Sequence, residues 1–196
     1  MFRERSIPVL ETERLVLRAP RLGDAKSVAV LANDRRIAEN TARIPHPYRM
    51  ADAEDFIATA NLGSEAVFVI TLRSGVPIGA CGFTQVDRHP PELGYWLGVK
   101  HWGKGYATEA VRAMIDHAFT ATNLEALAAS CRVTNVASRR VLEKCGFQWT
   151  GAGLCRVRAL RSSVPSDRFR LDRRTWASLR AWGKTRLPVR RKATRG

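Results

Sequence analysis

The chain has 196 residues, 45% of them hydrophobic and 26% charged, with 33 Lys and Arg against 18 Asp and Glu for a net +15. That length suits one domain with a sizeable core, and the composition excludes an extended disordered chain. No apolar run approaches the roughly 18 residues that cross a bilayer, and the N-terminal residues lack a secretory apolar stretch, so a soluble cytoplasmic protein with no membrane contact is expected.

Arg14-Leu-Val-Leu-Arg-Ala is expected as a first strand closed by Pro20, followed by a helix over 22–33 with Asp24 as N-cap. Pro45 and Pro47 make 43–48 a loop. A second helix over 50–62 places Ala53, Phe56, Ile57 and Ala60 on one face. The β-branched run 66–73 turns at Ser74-Gly75 into a hairpin partner over 76–86, and 93–99 forms a further strand. The period then changes: Ala107, Ala110, Val111, Met114, Ile115, Ala118 and Phe119 mark an amphipathic helix over 106–119. A buried strand over 124–133 leads to a helix over 135–145, capped by Asn135 and ended by Gly146. A strand opens at 147–150 and continues past Gly151 and Gly153. The last strand is placed at 168–171 and a closing helix at 173–182. The order βααβββαβαββ, without internal repeat, describes a mixed α/β sheet.

Cysteines 81, 131, 145 and 155 form no C-x-x-C pair, and histidines 46, 89, 101 and 117 form no H-x-x-x-H arrangement. Reduced cysteines and no metal site are expected. The charge is uneven. Residues 156–196 carry 14 Lys or Arg against two acids, a net +12, whereas the first 155 carry 19 against 16. Such a segment attracts polyanions (RNA, a ribosome surface, an acidic protein) or serves solubility alone.

Glu92 to Ala110 runs from a strand through a glycine-bearing loop into a helix. Gly103 and Gly105 remove side chains where backbone N–H groups must approach a ligand, and the helix adds its unpaired donors at the same point. That geometry suits a pyrophosphate, with Lys100 and Lys104 supplying charge. The third glycine of a dinucleotide fingerprint is absent, and no G-K-[ST] closes a P-loop.

About 30 residues on comes Arg132-Val-Thr-Asn-Val-Ala-Ser-Arg-Arg-Val-Leu-Glu-Lys-Cys-Gly-Phe147. Together with Glu11-Thr-Glu-Arg-Leu-Val-Leu-Arg and Trp102-Gly-Lys-Gly-Tyr-Ala-Thr-Glu-Ala, this segment resembles the GNAT superfamily of acetyl-CoA-dependent N-acetyltransferases, and more narrowly its RimJ/RimL-like branch. The likeness spans about residues 8–182 and departs at Lys100, where the loop pattern usually has Gln or Arg. It implies a GNAT fold: a mostly antiparallel sheet of about seven strands flanked by about four helices, in one domain over 1–182 with a basic tail over 183–196.

The same resemblance implies that Leu97, Gly98 and Val99 line the pantetheine, with a main-chain N–H near Leu97 as a small oxyanion hole. It implies that Lys100, Trp102, Gly103, Lys104, Gly105, Tyr106 and Ala107 surround the pyrophosphate, which the amides of 101–106 hold. Asn135 would bond the pantetheine or a water. Transfer would be direct attack of a neutral amine on the thioester, Glu92 acting as base and Ser138 as acid or thiolate-stabilising donor. Many members use a Tyr for that last task; no Tyr follows residue 106 here, which leaves Ser138 or solvent.

The favoured acceptor is a protein N-terminus, with a ribosomal protein as the candidate because the cationic tail would dock on RNA. A small amine, or a CoA- and RNA-binding protein without turnover, are the alternatives. His46 and Tyr48 are placed at the edge of the acceptor cleft, and the chain is expected as monomer or homodimer.

Overall fold

The computed structural model describes residues 8–62, 66–84 and 89–184. Eight strands form one sheet: β1 (Leu10–Glu11), β2 (Leu15–Arg18), β3 (Ala66–Leu72), β4 (Pro77–Thr84), β5 (Glu92–Leu97), β6 (Ala126–Arg132), β7 (Gln148–Val157) and β8 (Ser162–Asp172). Their spatial order is β1-β2-β3-β4-β5-β6-β8-β7, and every neighbouring pair is antiparallel except β5 with β6. The helices are α1 (Ala25–Ala32), α2 (Arg35–Ala38), α3 (Met50–Leu62), α4 (Tyr106–Ala121), α5 (Val136–Lys144) and α6 (Arg173–Lys184). The two-residue β1 raises the expected seven strands to eight. The four-residue α2, begun by the Asp34 carboxylate accepting from the Arg36 N–H, is too short for periodicity to reveal.

Two apolar clusters cover the two faces of the sheet. The larger takes the α4 stripe (Ala110, Val111, Met114, Ile115, Ala118 and Phe119) with Leu93, Leu97 and Leu142, and the smaller joins α1 and α3 through Val28, Ala53 and Ile57. Each large side chain removed from water there contributes about 1.5–3 kcal/mol, so the α4 stripe seats that helix against the strands that carry the site.

Three sequence expectations change. The helix expected at 22–33 is a 3-10 turn at Leu22–Asp24 followed by α1. Asp24 does not cap α1 with its side chain. Its carboxylate, 7% exposed, accepts both Nη groups of Arg18 at 2.8 Å and the Arg21 N–H. The last strand begins at Ser162 rather than 168, because β7 and β8 form a long hairpin with β8 inserted between β6 and β7. Pro165 is tolerated because it lies where β6 has ended, its carbonyl accepting from the Val133 N–H. The closing helix runs to Lys184, so the expected boundary at 182 falls inside it, and residues 185–196 of the tail lie outside the described residues.

Candidate active site

The site begins with a sheet that comes apart. β5 and β6 pair only through Glu92↔Ala128 and Leu93↔Ala129, and beyond Leu93 they no longer pair. Gly98 N–H donates to the Ile78 carbonyl at 2.8 Å, which makes the even-numbered residues of β5 those bonded to β4. The odd residues, Tyr95 and Leu97, therefore turn their N–H and C=O groups toward the gap on the β6 side; the Ala128 N–H on the Pro91 carbonyl fits the same alternation. The Leu97 carbonyl accepts the indole N–H of Trp102 at 2.7 Å, which leaves the Leu97 N–H as the donor facing the gap.

At the end of β5 the chain makes a 3-10 turn, Val99–His101, so Val99 lies in the turn and not in the strand as expected. Gly98 has a packing reason of its own: a Cβ there would come within 2.5 Å of Leu31 on α1. The His101 and Trp102 N–H groups donate to the Gly98 and Val99 carbonyls. Of the amides 101–106 expected to face an anion, the first two thus already have backbone partners. Gly103 and Gly105 adopt φ of 73° and 80°, where a side chain is strained, and Gly105 caps α4. The first helical bond comes from the Glu109 N–H, so residues 103–108 offer a run of donors with no acceptor among the described residues. Lys100, Lys104 and Trp102, the last 43% exposed, surround this loop, while Tyr106 and Ala107 pack partly into the core.

Glu109 fixes the helix start. It accepts from Thr12 Oγ1 at 2.6 Å, from the Arg14 N–H and from the Arg14 guanidinium, whose Nη1 also donates to the Lys104 carbonyl. Burial pushes its carboxyl up, yet these donors hold it below the ordinary range. The imidazole of His101 was not among the expected site groups. It is buried in the loop, its Nε2 has no partner among the described residues, and burial together with Lys100 and Lys104 lowers its pKa.

Across the gap, Asn135 Oδ1 accepts the Ser138 N–H at 3.1 Å and so caps α5, which its carboxamide NH2 is not needed for. Ser138 Oγ lies 2.8 Å from the Tyr95 hydroxyl. A tyrosine does reach this position, from strand β5 rather than from after residue 106. Period-2 alternation already put Tyr95 on the face of Leu93 and Leu97, but nothing local in the sequence ties it to Ser138. Burial pushes the Tyr95 phenol well above its ordinary value, outweighing the Ser138 hydrogen bond, so it remains a neutral donor. Cys145, buried at the end of α5 with its thiol pushed up to about 11 mainly by burial, is no nucleophile.

Glu92 lies on the opposite face, with Trp96, which packs on the α1/α3 cluster, while Tyr95 packs on the α4 cluster. Ser130, on the same face of β6, hydrogen-bonds Glu92 Oε1. Outward from Glu92 lies a shallow cavity of about 750 Å³ between the 42–46 loop and the β7–β8 hairpin, with His46 in its lining. Tyr48 is not part of it: it is buried, and its hydroxyl donates to the Asp52 carbonyl at 3.0 Å. A carboxylate on one face and a phenol–hydroxyl pair on the other, with main-chain donors between, is an arrangement able to run acyl transfer through the gap.

The domain family described as Acetyltransferase (GNAT) domain matches residues 14–148. The chain belongs to the GNAT acetyltransferase family. Among GNAT relatives, an N-acetyltransferase of Bacillus licheniformis, p20, is 35% identical over 149 residues, covering 72% of this chain and 83% of its own. The ribosomal-protein-serine acetyltransferase of Escherichia coli is 33% identical over 72 residues, 36% of this chain and 40% of its own. RimJ of Mycobacterium smegmatis, solved with a CoA disulfide, superposes with a TM-score of 0.72 at 22% identity, covering 92% of this chain and 96% of its own. The superposition thus agrees with the fold of the eight-stranded sheet.

Proposed function

We propose that this GNAT acetyltransferase transfers acetyl from acetyl-CoA to the α-amine of a protein N-terminus by direct attack. The observation that carries the reading is the gap between β5 and β6, with the Leu97 N–H inside it, Glu92 on one face and the Tyr95–Ser138 pair on the other. The free amides of 103–108 suit the pyrophosphate, and the odd-numbered backbone of β5 suits the pantetheine amides, as an added strand would.

In this reading the amine approaches from the Glu92 face. Glu92 takes its proton directly or through water, and the Ser130 hydrogen bond orients the carboxylate. The Leu97 N–H donates to the oxygen that becomes negative when the C–N bond forms. As the C–S bond breaks, the Tyr95 hydroxyl gives its proton to sulfur and Ser138 supports the phenol oxygen. An α-amine, with a pKa of about 7.7–8.0, needs little help from a base, whereas a Lys amine near 10.4 needs much more. The described site holds one carboxylate at the gap, which favours the α-amine.

The ribosomal-protein acetyltransferase among the relatives supports a ribosomal N-terminus as acceptor, and the basic 183–196 tail would then dock on ribosomal RNA. Mass spectrometry of a peptide panel incubated with isotopically labelled acetyl-CoA tests the first point: label on α-amines is expected, and label confined to Lys side chains or absent altogether would contradict it. Deleting 183–196 tests the second, since unchanged ribosome co-sedimentation removes the tail's role.

A further inference from the structure

Among the described residues, the lining of the cavity outside Glu92 has a single sign of charge. Arg43, Arg156, Arg158 and Arg161 line it with Pro45 and His46, and no acidic residue does so among the described residues. A second cavity, about 930 Å³ along α4, mixes Glu109 and Asp116 with Arg14 and Arg112, so cationic lining is not a general result of the +15 charge.

One wall leads to Glu92. Arg43 Nη2 donates to Thr84 Oγ1 at 2.8 Å, and Thr84 is the cross-strand partner of Glu92. The Arg158 N–H bonds the Ala42 carbonyl at 3.0 Å and joins the walls at the far end. At the hairpin tip Arg161 occupies φ 50°, a left-handed position that a glycine would take at no steric cost.

We propose that this groove selects the acceptor by charge: the amine delivered to Glu92 belongs to a peptide whose next few residues are acidic. The inference rests on the peptide reading above and adds the chemistry of its sequence. Extended peptide advances about 3.3 Å per residue, so carboxylates at the second to fourth positions fall along a groove that starts at the base. Guanidinium groups bind carboxylates with geometric as well as charge specificity. A polyamine or other polycation would meet Arg156, Arg158 and Arg161 on its way in. Part of the +12 segment is thus a wall of the acceptor cleft rather than a tail.

The test uses the full chain and three hexapeptide amides sharing an N-terminal Ser, followed by three acidic, three neutral or three basic residues. Release of CoA thiol gives kcat/KM, and calorimetry on the CoA-saturated protein gives binding. The acidic peptide is expected to exceed the neutral one by about tenfold in both, with the basic one below, and the margin should shrink in high salt. The pair Arg156→Gln and Arg158→Gln should lose most of that preference. The pair Lys26→Gln and Arg174→Gln, which removes equal charge from α1 and α6, should keep it. Equal values for the three peptides, or equal losses in both double variants, overturn the proposal. Preferential binding of the acidic peptide without turnover sinks the peptide-acetylation reading while leaving the charge selection standing, so the two failures are distinguishable.

Discussion

The two sides of the β5–β6 gap are built in different ways. On the α4 side a strand, a glycine loop, a helix, a second strand and a second capped helix lie consecutively between Glu92 and Lys144, and the donors they present are mostly main-chain amides. On the Glu92 side the groove is assembled from residues 42–46 and 156–161, more than a hundred positions apart, and its character comes from side chains. A site for an invariant co-substrate can rely on backbone, whose donors do not change when side chains do. A site that chooses among acceptors needs groups that substitution can vary. The first half is therefore a contiguous motif and the second a long-range meeting of a loop and a hairpin.

That contrast can be broken most sharply at Tyr95, where the proposed mechanism has the α4 side do chemistry with a side chain. Tyr95→Phe is expected to lower kcat by about a hundredfold, the usual scale for a general acid, with acetyl-CoA affinity within about twofold. Equal loss in affinity and rate, measured by calorimetry and by thiol release, would make Tyr95 a packing residue instead. The next effect is at the loop. Gly105→Val forces a β-branched residue into φ 80° and should weaken acetyl-CoA binding about 30-fold. Peptide binding to the groove should be unaffected.

On the acceptor side, Glu92→Gln should lower kcat/KM about tenfold for an α-amine. For a Lys side-chain amine the loss should be greater, because the α-amine is partly neutral unaided. The pH dependence sharpens this. kcat/KM should rise with pH through the amine's own range of about 7.7–8.0. It should show no falling limb up to about pH 10, because a raised pKa keeps the Tyr95 proton on below that value. The smallest effect concerns Cys145: Cys145→Ala should keep kcat within about twofold, since a buried thiol at about 11 holds almost no thiolate at neutral pH.

Local signals carried well in the sequence. The 3.6-residue stripe of α4, the Asn135 cap and the Ser74-Gly75 hairpin all appear where their residues place them. What did not carry was set by partners remote in sequence. The first half of β8 carries Pro165 and polar residues, and it becomes a strand because β7 pairs along it. Tyr95 and Ser138 are 43 residues apart and meet through packing of α5 on β5. The spent amides of His101 and Trp102 follow from a 3-10 turn that two glycines downstream do not announce. Trp176 and Trp182 share the closing helix, yet only Trp176 packs, on Phe119, while Trp182 is 81% exposed. The groove was least legible, since its arginines counted only as bulk charge until the hairpin placed them opposite residues 42–46.

Amide hydrogen exchange read residue by residue by NMR, with and without CoA, is the most direct probe of the main-chain cradle. Protection should rise by an order of magnitude or more at Leu97 and across 103–108, with little change at His101 and Trp102, whose N–H groups are already bonded. Unchanged exchange at Leu97 and 103–108 in the CoA-saturated protein would contradict the account, whatever protection appeared elsewhere.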